Sequence, residues 1–163
     1  MRVLVAGVGN VLRGDDGFGV HAADRLKTDP RLPSFATVIE TGIGGIHLVQ
    51  ELMRGYDGFL LLDAFDRGRE PGAVFLLEPE LPDVGALDLG EQRDFFADVH
   101  YAAPVRALTL AREIGALPKL VRIIGCQPAD TEAFGEAMDE RVQQAIPEAV
   151  DLAVQVLREI DTT

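Results

Sequence analysis

Sulfur is scarce in this chain: Cys126 is its only cysteine, so neither an internal disulfide nor a cysteine-rich structural zinc site can be built from it. Basic residues are scarce too. Fifteen Lys and Arg stand against 27 Asp and Glu, a formal net charge of -12. Nucleic acids and anionic membranes both reward basic surfaces, so this balance argues against either as a partner and favours metal cations or basic protein segments. No apolar run approaches the ~18 residues of a membrane span. The opening MRVLVAGVGN turns glycine-rich too early for a signal peptide. A cytoplasmic protein without membrane insertion is expected. There are no internal repeats.

What the chain has in quantity is apolar residues, 47% of 163, enough for one domain with a sheet covered on both faces. Its organising stretch is GVGNVLRGDDGFGV, Gly7 to Val20, between an apolar run (Val3 to Ala6) and an amphipathic segment. A buried strand that breaks into glycines, an Asn and paired carboxylates before a helix presents polar groups at the carboxyl edge of an α/β sheet. Gly7 and Gly9 allow a tight exit, Asn10 can close an Asx turn, and Gly14 tolerates a positive φ. Asp15 or Asp16 is expected to cap the following helix, which leaves the other free to face a cleft. A dinucleotide fingerprint fits poorly, because Leu12 stands where G-x-G-x-x-G needs its third glycine and the two acids would repel a pyrophosphate.

The rest of the chain reads as alternating strands and helices. A first helix runs from about Asp16 to Lys27 with Phe18, Ala22 and Leu26 inward. A strand over Thr37 to Glu40 leaves through TGIGG, and a second helix, Ile46 to Met53, is expected to bury Ile46, Val49, Leu52 and Met53. The strand Phe59 to Leu62 ends on Asp63. In a sheet of order 2-1-3 the exits of strands one and three are neighbours at the switch point, where a crevice opens. Asp16 and Asp63 would line it together. The connection after Asp63 is too short for a crossover helix, so Ala73 to Leu77 is expected as an antiparallel edge strand. Glu78 to Val99 lacks periodicity and reads as a long loop, either a binding element or disordered. A helix from Pro104 to Gly115 carries Ala107, Leu110, Ala111 and Ile114 on one face. The strand Leu120 to Ile124 leaves through GCQP, and a last helix spans about Pro147 to Ile160.

Asp16, Asp63 and His100 therefore all fall at or near loops on one edge. Two carboxylates and an imidazole would leave a divalent cation with open positions for water or substrate, without choosing among zinc, nickel, manganese and iron. Each has a plainer reading: Asp16 as a helix cap, Asp63 as a turn cap, His100 as a loop histidine bonded to backbone. His47, just after the second strand's exit, competes for the imidazole role more seriously than His21. A further possibility makes Cys126 a peptidase nucleophile with His100 as base, against its reading as a small buried apolar residue.

GVGNVLRGDDGFGV near the start, LLDAFDRGREPG in the middle, His100 after a variable stretch and GCQP after the last strand together resemble the nickel–iron hydrogenase maturation endopeptidases. The resemblance covers nearly the whole chain, 1–163, as one domain. It implies an α/β three-layer sandwich, with a mixed, mostly parallel five-stranded sheet and helices on both faces. The implied activity is removal of a C-terminal extension from the nickel-loaded precursor of a hydrogenase large subunit, which would be the partner. The implied metal-binding and catalytic residues are Asp16, Asp63 and His100. The metal would be nickel supplied by that precursor, with other divalent ions able to substitute and one carboxylate serving as general base. Some family members carry Glu where this chain has Asp16, so the carboxylate here is set back by roughly one bond, ~1.5 Å. Gly42, Gly44 and Gly45 correspond to a cleft segment whose bare backbone would admit an extended peptide. Two other readings stand beside it: a module that binds and checks the same precursor without cutting it, and a flavodoxin-like nucleotide binder.

Overall fold

The computed structural model describes residues 1–42, 45–97, 103–135 and 137–162. Five strands form one sheet: β1 (Val3–Val8), β2 (Ala36–Thr41), β3 (Gly58–Ala64), β4 (Val74–Leu77) and β5 (Leu120–Cys126). Their order is β2-β1-β3-β5-β4. Four strands are parallel and β4 pairs antiparallel with β5 at the edge, as the short connection after Asp63 requires. The helices are α1 (Phe18–Lys27), α2 (Gly45–Leu52), α3 (Leu89–Ala97), α4 (Ala103–Glu113) and α5 (Glu140–Asp161).

β1 and β3 are covered on both sides, so their residues are apolar almost without interruption and alternate between two cores. Val3, Val5, Leu60 and Leu62 join Phe18, Ala22 and Leu26 of α1 and Val150, Val154 and Leu157 of α5. Leu4, Ala6, Phe59 and Leu61 join Leu48, Val49 and Leu52 of α2 and Ala107, Leu108 and Ala111 of α4. This is a three-layer sandwich, and each of its Val, Leu and Phe side chains, once buried, contributes ~1.5–3 kcal/mol relative to exposure.

Three expectations fail, each for a definite reason. The segment read as loop after Glu78 contains α3, whose start is a reciprocal capping box: Glu91 N donates to Asp88 Oδ1 and Asp88 N to Glu91 Oε2, both at 2.9 Å. Its weak amphipathicity hides it, yet the D-x-x-E pair was legible. The last helix begins at Glu140 rather than Pro147. Asp139 caps it by accepting from Arg141 N at 2.9 Å, and burial of Val142 and Ala145 helps offset the interior proline, which otherwise costs ~3 kcal/mol. On α2 the buried residues are Leu48, Val49 and Leu52, whereas Ile46 and Met53 are exposed, as is Ile114 beyond α4.

Backbone meets backbone where α1 packs against β1 and β3. A Cβ on Gly19 would stand 2.1 Å from the Leu62 carbonyl oxygen and 2.5 Å from that of Val8. Both obstacles are backbone, so neither can swing aside. Gly19→Ala is expected to destabilise the fold by at least ~1–3 kcal/mol in urea unfolding. Gly42→Ala, where a Cβ would meet nothing within 4 Å, should stay within ~0.5 kcal/mol of the parent. Equal effects would show that this close approach does not constrain the fold.

Candidate active site

The exits of β1 and β3 lie side by side, Gly7 paired with Leu62. β1 is followed by α1 on one face and a return to the outer strand β2, while the chain beyond β3 moves to the other side of the sheet. The expected switch point is therefore present between them. Gly9 leaves β1 at φ 141°, and a Cβ there would lie 1.8 Å from the Asp16 carbonyl oxygen, so only glycine lets the turn fold back this tightly. Asn10 closes the expected Asx turn, its Oδ1 accepting from Leu12 N at 3.0 Å.

Gly14–Gly17 then form a 3-10 turn ahead of α1. Neither aspartate caps α1, whose N-cap is Gly17 with no side-chain hydrogen bond. The two carboxylates part company instead. Asp15, only 2% exposed, accepts from Ala129 N at 2.8 Å, Asp130 N at 3.0 Å and Asp139 N at 2.7 Å, binding the segment after β5 to the segment after β1. Asp16 stays partly exposed and accepts from Asn10 N at 2.9 Å, which fixes its carboxylate at the exit of β1, within electrostatic reach of Asp63. That bond also occupies a backbone donor a phosphate would need, so the nucleotide reading loses its cradle.

Asp63 is the last polar group of an apolar strand and only 6% exposed. By strand alternation it shares a face with Phe59 and Leu61, toward the α2 and α4 layer. Burial, and then the nearby negative charge of Asp16, raise its carboxyl well above the usual carboxylate range, while a backbone hydrogen bond from Ala64 pulls the other way. Asp16 and Asp63 are thus brought within electrostatic reach of each other in a poorly solvated place. A divalent cation between them would offset both penalties, and oxygen donors suit hard to borderline ions.

His100 and Gly44 lie outside the described residues. Among the described residues no three His, Cys, Asp or Glu side chains gather into a metal-binding group, so neither His21 nor His47, both exposed, joins the two aspartates. Gly42 follows β2 in open space and Gly45 begins α2. Cys126 is fully buried, and burial, followed by the charges of Asp15 and Glu148, pushes its thiol up to about 12. It is a core residue, not a thiolate nucleophile.

One functional-edge residue escaped the sequence reading. Gln127 of GCQP, 5% exposed, accepts at Oε1 from Arg67 N (2.7 Å) and Arg69 N (3.1 Å) and donates from Nε2 to Asp66 Oδ1 (2.9 Å). It pins the connection that follows Asp63. A polar residue directly after a buried strand was the available signal, but its partners are 58 to 61 residues away in sequence.

Two stability measurements separate the carboxylates. Asp15→Ala strands three backbone donors and is expected to cost ~2–4 kcal/mol in urea unfolding; a loss under ~0.5 kcal/mol would contradict the clasp. For Asp63 the sign is reversed. The folded chain takes up this proton more readily than the unfolded chain, so the stabilisation is complete below the unfolded carboxylate range. It is lost as pH rises through that range to the raised folded value. With chelator present, Asp63→Asn should melt above the parent near pH ~7.5, by roughly 2–4 °C per kcal/mol relieved, and the gain should shrink toward pH ~4. A variant that melts lower at neutral pH would refute a strained charge.

Comparison with known proteins agrees with this architecture. Residues 20–156 match the family model for hydrogenase maturation protease. The hydrogenase expression/formation protein HupD of Rhizobium leguminosarum bv. viciae is 35% identical over 159 residues, covering 96% of this chain and 74% of that protein. The hydrogenase 2 maturation protease of Escherichia coli is 27% identical over 161 residues, 98% and 92% of the two chains. Among solved structures, the E. coli hydrogenase maturating endopeptidase HybD superposes with a TM-score of 0.77 at 25% identity over 98% of this chain and 93% of that one. A hydrogenase 2 maturation peptidase from Thaumarchaeota archaeon SCGC_AB-539-E09 gives 0.67 at 33% identity, over 96% and 98%. The chain belongs to the hydrogenase maturation protease family and is a peptidase.

Proposed function

We propose that this peptidase removes the C-terminal extension of a nickel-loaded hydrogenase large-subunit precursor, and that Asp16, Asp63 and His100 carry the reaction. The observation that supports this most directly is the pairing of Asp16 with a buried, charge-disfavoured Asp63 at the switch point. Such a pair has a use for a cation that it lacks for a neutral ligand.

The nickel arrives as part of the substrate. Asp16 and Asp63 offer it oxygen donors and His100 an imidazole, so the cleavage segment docks only where a loaded metal accompanies it. A divalent ion in that position polarises a peptide carbonyl or a water. Asp16 is held at the exit of β1 by Asn10 N, and Asp63 by the strand, so little reorganisation accompanies docking. Gly42, Gly44 and Gly45 are the glycines assigned to receive the extended tail, and at Gly42 a Cβ would meet nothing within 4 Å. Other divalent ions of similar preference can take the place of nickel.

Purified protein incubated with such a precursor, with and without inserted nickel, tests the reading by mass analysis of the precursor's C-terminus. Loss of the tail is expected only with nickel. Asp16→Asn, Asp63→Asn and His100→Ala should each slow processing on the order of 10²-fold or more while remaining folded. Cleavage that survives all three substitutions would place the chemistry elsewhere.

A further inference from the structure

Beside Asp63 lies a recess that the chemistry above leaves unused. It encloses about 310 Å³ and is lined by the apolar Phe65, Leu77, Val105 and Ile123 and by the charged Arg67, Glu78 and Glu80. We propose that this recess is a specificity subsite, which takes an apolar branched or aromatic side chain of the substrate next to the bond that is cut. The proposal rests on the reading of Asp16 and Asp63 as the reaction centre.

Position is the first argument. β3 runs out through Asp63 and Ala64, and Phe65 N continues its ladder by donating to the Cys126 carbonyl at 2.9 Å. Phe65 is two residues beyond Asp63, so the two side chains share a face about 6.6 Å apart, the repeat of an extended strand. An extended peptide has that same repeat. With its reacting bond at the aspartates, a side chain one or two residues away is delivered into the recess.

Chemistry is the second. Four of the lining side chains are apolar and contiguous with the core layer: Ile123 is buried, while Phe65, Leu77 and Val105 are half-buried, leaving hydrocarbon uncovered for an incoming group. The charged groups of the lining, one cation and two carboxylates, are exposed to solvent, with no single sign that would draw a charged side chain inward. Glu78 is already engaged, by Arg122 at 2.9 Å. A charged group placed against the four apolar side chains would lose its water against hydrocarbon, whereas an aliphatic or aromatic one gains burial.

Rigidity is the third. The Gln127 carboxamide holds the Arg67 and Arg69 amides and the Asp66 carboxylate, so the wall bearing Phe65 and Arg67 is set by the strand beneath it. A preformed pocket discriminates by size because it does not collapse around a smaller guest.

The test has two arms. In the first, methyl-labelled protein is titrated with acetyl-Gly-X-Gly-amide, X being Leu, Phe, Lys or Asp, and Leu77, Val105 and Ile123 methyl resonances are followed. Saturable shifts are expected with Leu and Phe, not with Lys or Asp, and they should vanish in Val105→Phe, which fills the recess. Equal shifts with all four peptides, or none, would overturn the subsite. In the second, a nickel-loaded precursor is changed to Leu, Ala or Asp at each of the two residues flanking the cut. Asp at one position should lower kcat/KM by at least ~10-fold. Val105→Phe should turn a preference for Leu over Ala at that position into the reverse. Unchanged ratios in Val105→Phe would overturn the proposal. Selective peptide shifts without cleavage of any precursor would keep the recess and remove the processing function instead.

Discussion

The whole arrangement depends on how closely the start of α1 lies against β1 and β3. At Gly19 the helix backbone meets two strand carbonyls with no room for a methyl group, and at Gly9 the chain doubles back onto Asp16. Backbone atoms against backbone atoms leave no slack. The turn from Gly14 to Gly17 is therefore held beside the end of β3, and Asp16 is brought toward Asp63 although their charges repel.

That repulsion is retained in the folded state. Asp63 sits in a layer of Leu and Phe, where ionisation is disfavoured by lost hydration and by its neighbour. A stability-optimised sheet would place an amide or an apolar residue there, and strained charge of this kind concentrates where a ligand relieves it. The surrounding structure compensates. Asp15 secures the segment after β5 through three backbone amides, and Gln127 secures the connection after β3. Buried polar groups thus tie the segments after β3 and β5 to the sheet.

Adjacent aspartates in one motif thus have opposite duties. Asp15 turns inward and is satisfied by the protein alone, whereas Asp16 retains exposure and lies within electrostatic reach of Asp63. Nothing in the dipeptide distinguishes them; the distinction comes from which backbone amides lie within reach once β5 and its following segment are in place.

Local and periodic features were legible in the sequence. The alternation of apolar runs with amphipathic segments specifies the parallel α/β frame, and a connection too short for a crossover dictates the antiparallel edge. A strand ending on Asp63 beside a glycine-rich exit marks the switch point between β1 and β3, and the motifs identify the family. These survive translation from sequence because strand and helix periods and turn chemistry act over a few residues. What tertiary structure alone decided is everything that depends on distant partners. It placed the start of α5 seven residues before its proline, because Val142 and Ala145 found a core to bury against. It made α3 a helix despite weak periodicity, and it converted the expected cap into a clasp. It also raised the Asp63 carboxyl, since burial and the proximity of Asp16 are properties of assembled layers and belong to no stretch of chain.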